Sequence, residues 1–154
     1  MPTLLHHQKT IIEFLNWCQK EPEIITQCNM LGQVGPNLYN EIETNGTIVI
    51  QDELLKKLNQ INCSTKLSNS GMSKERRIVP DAIKSIMSHP NYWFKFVISN
   101  EQDIEEFIRD YVIPFNIPPE RVIMMPGLDN RDNFHERTRF DCVSFNRANV
   151  DRFE

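Results

Sequence analysis

Glu43-Thr44-Asn45-Gly46-Thr47 puts a carboxylate, two hydroxyls, a carboxamide and a glycine in consecutive positions. Ser64-Thr65-Lys66, followed by Ser68-Asn69-Ser70-Gly71, repeats the mixture with an ammonium group instead. Ser99-Asn100 and Pro126-Gly127-Leu128-Asp129 form two further clusters, and Lys95 interrupts an aromatic run between Phe94 and Phe96. Hydroxyls, amides and lysines of this kind suit hydrogen bonding to a small, polar, anionic ligand. Each cluster also has a plain reading. Asn45-Gly46 is by itself a hairpin turn. Lys66 reads as a solvated loop lysine, and Lys95 faces either solvent or a barrel lumen. No metal site is expected: His6 and His7 lack a third ligand, and His135 reads as a solvated residue. Cys18, Cys28, Cys63 and Cys142 contain no C-x-x-C pair and read as free buried thiols. No Ser/His/Asp order, P-loop or G-x-G-x-x-G occurs.

These clusters need elements to hold them. Thr10 to Gln19 places Ile11, Phe14, Leu15 and Cys18 at helical spacing. Lys20 to Pro36 is irregular. Leu38 to Glu43 is a candidate strand, and Thr47 to Ile50 could also be extended. Asp52 to Leu58 reads as a short helix with Asp52 as N-cap. Ile61 to Thr65 reads as a strand, Lys66 to Arg77 as a polar loop, and Pro80 to Ser88 as a helix with proline at its first position. Tyr92 to Ser99 is the strongest strand, aromatic and β-branched. Asn100 to Val112 follows as a helix, with Asn100 as cap, Asp103 at the box position, and a stripe of Ile104, Phe107, Ile108 and Tyr111. Arg121 to Met125 reads as a strand and Asn130 to Phe140 as a final helix.

Helix and strand thus alternate, which predicts an α/β fold with a parallel sheet. In such folds ligands bind at the carboxyl ends of the strands, and all four polar clusters fall there. Residues 1–154 form one domain, with 141–154 an irregular tail. The chain opens on a helix that has no preceding strand, and a four-stranded parallel sheet leaves edges unpaired. Both ends therefore read as cuts in something larger.

The chain has 154 residues, 40% hydrophobic and 25% charged, with net charge −4 and pI near 5.6. An acidic balance argues against nucleic acid as a direct partner, although Ser73 to Arg77 is locally basic. No apolar run reaches the roughly 20 residues that span a bilayer, and no leader opens the chain. A cytoplasmic protein with no membrane partner is expected.

"IETNGT", "CSTKLSNSG", "WFKFVIS" with "DIEEF", "IPPERVIMMPGLDNRD" and "HERTRF" together resemble 7-carboxy-7-deazaguanine synthase, a radical S-adenosylmethionine family. The resemblance runs from about Leu4 to Phe140. Members convert 6-carboxy-tetrahydropterin to 7-carboxy-7-deazaguanine, releasing ammonia, on the way to queuosine and related bases. The resemblance implies an incomplete (β/α) barrel, here with its first strand or strands missing. It implies S-adenosylmethionine beside Glu43, Thr44, Asn45, Gly46, Ser64 and Lys66, and substrate near Lys95 and Pro126. Thr65 stands where the family usually has proline, which implies a looser turn. Of the family's G-G-E-P motif only Pro2 remains.

The family's cysteine motif holds a [4Fe–4S] cluster through soft thiolates. It is absent from this chain, the four cysteines have the wrong spacings, and the family's magnesium site lies on the same absent segment. Cluster and magnesium are therefore expected only from a missing segment or a second chain. The residues after "HERTRF" depart from the family as well. The chain reads as the C-terminal part of such a lyase, inactive alone or half of a split enzyme. Its expected partners are a small-molecule substrate and a chain carrying the cysteine motif, or a second copy in a homodimer. Two other readings stay open: a non-catalytic interaction module docking through the exposed first edge, and a doubly wound domain binding a phosphorylated small molecule.

Overall fold

A computed structural model describes residues 2–21 and 39–127. Four strands form one sheet: β1 Glu41–Thr44, β2 Gln60–Ser64, β3 Tyr92–Ile98 and β4 Val122–Pro126. Their order is β1-β2-β3-β4 and all three pairings are parallel. A 3₁₀ turn, Pro2–His7, leads into α1, Gln8–Lys20. Helices fill every crossover. They are α2 Asp52–Leu55, then α3 Lys74–Arg77 and α4 Pro80–Met87, then α5 Glu101–Phe107. The last continues through a π turn, Ile108–Val112, into α6, Ile113–Phe115.

Successive strand residues point to opposite faces. One face of the sheet holds Ile61, Cys63, Tyr92, Phe94 and Phe96, all buried. They share one core with Leu15 of α1, Leu54 of α2, Ile83 and Ile86 of α4, and Phe107 and Tyr111 further along. Right-handed crossovers between sequential parallel neighbours put every connecting helix on the same face, which explains this single core. The opposite face carries Glu43, Asn62, Ser64, Lys95, Val97 and Ile123, and there Val97 and Ile123 keep 36% and 37% of their surface. The α/β class with a parallel sheet is as expected, and the sequential order suits a portion of a (β/α) barrel. A doubly wound domain needs a point where strand order reverses. The described strands have none, so that reading loses its support.

Several boundaries differ from the sequence expectations. The buried face of α1 is Gln8, Ile12, Leu15 and Cys18, whereas Phe14 is exposed. The stripe turns because Gln8 faces inward: its Nε2 donates to the Val49 carbonyl at 2.8 Å, and its Oε1 accepts from Gln51 N at 2.7 Å. Ile50 N donates to the Ser85 hydroxyl at 3.1 Å. Thr47 to Ile50 is therefore not a strand, since side chains rather than a neighbouring strand take its backbone groups. The helix at 52 ends at Leu55, and its cap is Gln51 rather than Asp52. Asn100 does cap α5, its Oδ1 accepting from Asp103 N at 3.0 Å. The loop 66–77 is partly ordered, with a 3₁₀ turn at Ser68–Ser70 and α3. The helix expected at 130–140, the tail at 141–154, and Cys28, Cys142 and His135 lie outside the described residues.

Candidate functional site

The carboxyl rim begins where β1 ends. Thr44 is buried on the core side and its Oγ1 accepts from Gly46 N at 3.2 Å. Asn45 Oδ1 accepts from Thr47 N at 3.2 Å and from the Thr47 hydroxyl at 2.7 Å, an Asx turn. Gly46 has φ +74°, and a Cβ there would lie 2.8 Å from Cys63 Sγ. Only glycine fits a left-handed turn pressed so closely on β2. Asn45-Gly46 thus closes a parallel strand against its neighbour and is not a hairpin.

At the end of β2, Lys66 Nζ donates to Ser64 Oγ at 3.4 Å. Thr65 is buried, and its hydroxyl donates to the Lys95 carbonyl at 3.1 Å. The threonine therefore ties β2 to β3, contrary to the looser turn expected without proline. Lys95, from β3, reaches across β2 to form an ion pair with Glu43 of β1. Two strand spacings, roughly 10 Å, are bridged by two long side chains leaning toward each other. A hydrogen bond and the charge of Lys95, with a smaller effect of Lys66, hold the Glu43 carboxyl below its usual range. Because Glu43 is exposed, this pair adds little stability.

The structure therefore gathers Glu43, Ser64, Lys66 and Lys95 on one face of the rim, with Asn45 and Gly46 at its β1 corner. Thr44 turns into the core. Pro126 pairs with Ile98, which places it in register with the core-facing series and on the other face from Lys95. Gly127 N donates to the Ile98 carbonyl at 2.7 Å, and a Cβ at Gly127 would meet Ser99 Oγ at 2.2 Å. The β4 end thus packs directly on the β3 end.

Sequence reasoning missed the groups that hold this rim from behind. Asp103, Glu106 and Asp110 are all buried beside the apolar stripe of α5 and its π turn. Asp103 accepts from Ser99 N at 2.7 Å and from Asn69 Nδ2 at 3.0 Å. Glu106 accepts from Ser68 N at 2.8 Å and from the Ser68 hydroxyl, and pairs with Arg77 at 2.7 Å. Asp110 pairs with Lys74 at 2.8 Å and with Arg77 at 3.4 Å. Of the basic stretch Ser73 to Arg77 only Arg77 turns inward, buried between carboxylates, while residues 73–76 are exposed. The available signal was three acidic residues at i, i+3 and i+7 on the inward side of an amphipathic helix.

Burial works against ionisation of Asp110, but hydrogen bonds and charges from Arg109 and Lys74 outweigh it and hold the carboxyl at about 2. A lowered folded value stabilises the protein above the ordinary 3.8 and is lost as pH falls toward 2. The urea midpoint should drop between these values more steeply in the parent than in Asp110→Asn, as denaturation at stepped pH would register. Equal slopes would remove Asp110 from the acid response.

Among the described residues no group of three or more His, Cys, Asp or Glu side chains is placed to hold a metal ion. Cys18 and Cys63 are free and buried, and burial pushes the Cys63 thiol up, away from the thiolate that a cluster needs. These residues do not fit an iron–sulfur cluster. No helix among the described residues is long and apolar enough to cross a membrane.

Polar loops gathered at the carboxyl rim of a sequentially ordered parallel sheet, with helices packed on one face, define an α/β protein whose strand order is consistent with part of a (β/α) barrel. The particular likeness is to the 7-carboxy-7-deazaguanine synthase of Pyrobaculum aerophilum, 35% identical over 99 residues, which are 64% of this chain and 41% of that protein. This similarity relates the chain to that enzyme, of which it spans less than half the length. No family model and no solved structure matches the chain.

Proposed function

We propose that this chain is the later portion of a 7-carboxy-7-deazaguanine synthase-like lyase acting in 7-deazaguanine biosynthesis. Its rim binds S-adenosylmethionine through Asn45, Gly46, Ser64 and Lys66, with Glu43 and Lys95 adjoining. The single observation that supports this most is the 35% identity to such an enzyme over 99 residues. S-adenosylmethionine, when bound, supplies the adenosyl group and a carboxylate. The Lys66 ammonium is the complement to that carboxylate, and the Ser64 hydroxyl orients the ammonium. The cluster comes from a missing segment or a second chain, and the chain is inactive alone. Among the described residues no strand pairs with the outer edge of β1, and a strand of that missing part would add there. The same edge supports the rival reading of an interaction module without cofactor.

Equilibrium dialysis of the full chain against labelled S-adenosylmethionine separates the two. Saturable binding, weakened roughly tenfold or more by Lys66→Ala, is the expected result, since a hydrogen bond to a charged group is lost. No saturable binding, alone or with the cluster-bearing chain, would leave only the interaction module. Reconstituting the chain alone with iron, sulfide and reductant should give no stoichiometric [4Fe–4S] spectrum, and such a spectrum would contradict the divided arrangement.

A further inference from the structure

The loop carrying Lys66 is gripped on its main chain. The Tyr111 hydroxyl donates to the Lys66 carbonyl at 2.8 Å, and Arg77 Nη1 lies 3.5 Å from the same oxygen. Leu67 is buried at 1% exposure. One residue on, the Glu106 carboxylate accepts both the amide and the hydroxyl of Ser68. The two grips are joined, because Arg77 pairs with Glu106 while also reaching Lys66. Asp110, Tyr111 and Val112 are buried one after another in the π turn, which widens the helix there, a feature frequent at functional sites. Carboxylates and a phenol in a helix interior would be costly if they served only the core. Here Tyr111 and Glu106 hold Lys66 and Ser68 of one loop, and Lys66 extends its side chain to Ser64 at the rim.

We infer that Tyr111 and Glu106 are positioning residues that set where the Lys66 ammonium stands at the rim. This rests on the reading of the rim as the S-adenosylmethionine site. Neither residue touches the ligand. Tyr111 fixes the carbonyl of the lysine, Glu106 fixes the residue after the next, and Arg77 couples the two. Freed of them, the loop shifts and the ammonium leaves the geometry that Ser64 shares.

The test is a double-mutant cycle on S-adenosylmethionine affinity, measured by equilibrium dialysis with the full chain. Tyr111→Phe keeps the ring and removes only the hydroxyl. It should weaken binding about fivefold to tenfold in the parent and leave affinity unchanged when Lys66 is already alanine. A purely structural role would weaken binding equally in both backgrounds. Equal effects in both, or no effect while Lys66→Ala alone weakens binding, would overturn the inference. Should Tyr111→Phe fail to fold, Ser68→Ala, which removes the hydroxyl held by Glu106, is read by the same criteria. If Lys66→Ala binds as tightly as the parent, the ligand reading of the rim itself fails, an outcome distinct from failure of the positioning role alone.

Discussion

Glu106→Ala should lower the free energy of unfolding by about 3–5 kcal/mol, because it strips a buried cation of its closest partner. The Arg77 side chain is 5% exposed and pairs with Glu106 at 2.7 Å. The remaining carboxylate, Asp110, stands at 3.4 Å and is shared with Lys74 and Arg109. Arg77 Nε already has no hydrogen-bond partner among the described residues, so the guanidinium has little room to compensate. The Ser68 amide loses its acceptor in the same step. Glu106→Gln keeps an oxygen for that amide and should cost less. Replacing Arg77 and Glu106 together by Met and Leu should cost less than Glu106→Ala, since no charge is left stranded. Urea denaturation followed by fluorescence of Trp17 and Trp93 gives these values. A loss below about 1 kcal/mol for Glu106→Ala would mean that the pair behaves as a solvated surface bridge.

Phe96→Ala should cost a comparable 3–5 kcal/mol or so, for a different reason. Phe96 is fully buried on β3, with ring centroids 5.0 Å from Phe107 and 5.2 Å from Tyr111, the latter edge-on. Its removal leaves a cavity between the sheet and α5 that close packing cannot refill. The loss reaches the rim, because Tyr111 leans on this ring while its hydroxyl holds the Lys66 carbonyl. Val97→Ala, one residue further and on the other face, should stay below roughly 1 kcal/mol because the side chain is already 36% exposed. Equal losses at 96 and 97 in thermal and urea melts would contradict the assignment of faces.

The parts of the fold legible in sequence were those where local chemistry and tertiary role agree. Burial alternates along β3, with Tyr92, Phe94 and Phe96 inward and Trp93 and Lys95 outward, because one face is core, and Asn100 caps α5 through its own side chain. Parallel pairing followed from the alternation of helix and strand. Where the two disagree, pattern reading failed. Gln8 is polar yet buried, so an apolar stripe drawn through Ile11 and Phe14 was turned away from the true one. Ile50 is β-branched yet plugs the core from a loop whose amide goes to Ser85. Asn45-Gly46 carries the same local signal in a hairpin and at a parallel strand end, and only Cys63 beneath it decides. In the candidate site, the clusters at strand ends were readable as a group. Which face each takes depends on strand register, and that separated Pro126 from Lys95. The buried carboxylates of α5 and its π turn were invisible as site residues because a helix face is scanned for apolar groups, and their partners Ser68, Asn69 and Lys74 lie over 30 residues away in sequence.

Amide hydrogen exchange on the full chain, with and without saturating S-adenosylmethionine, tests the central claim most directly. Protection should appear at Glu43 to Thr47 and Lys66 to Gly71, the carboxyl rim, and leave the opposite strand entrances at Asn59 and Asn91 unchanged. Protection confined to those entrances, or none anywhere at saturating ligand, would contradict the account.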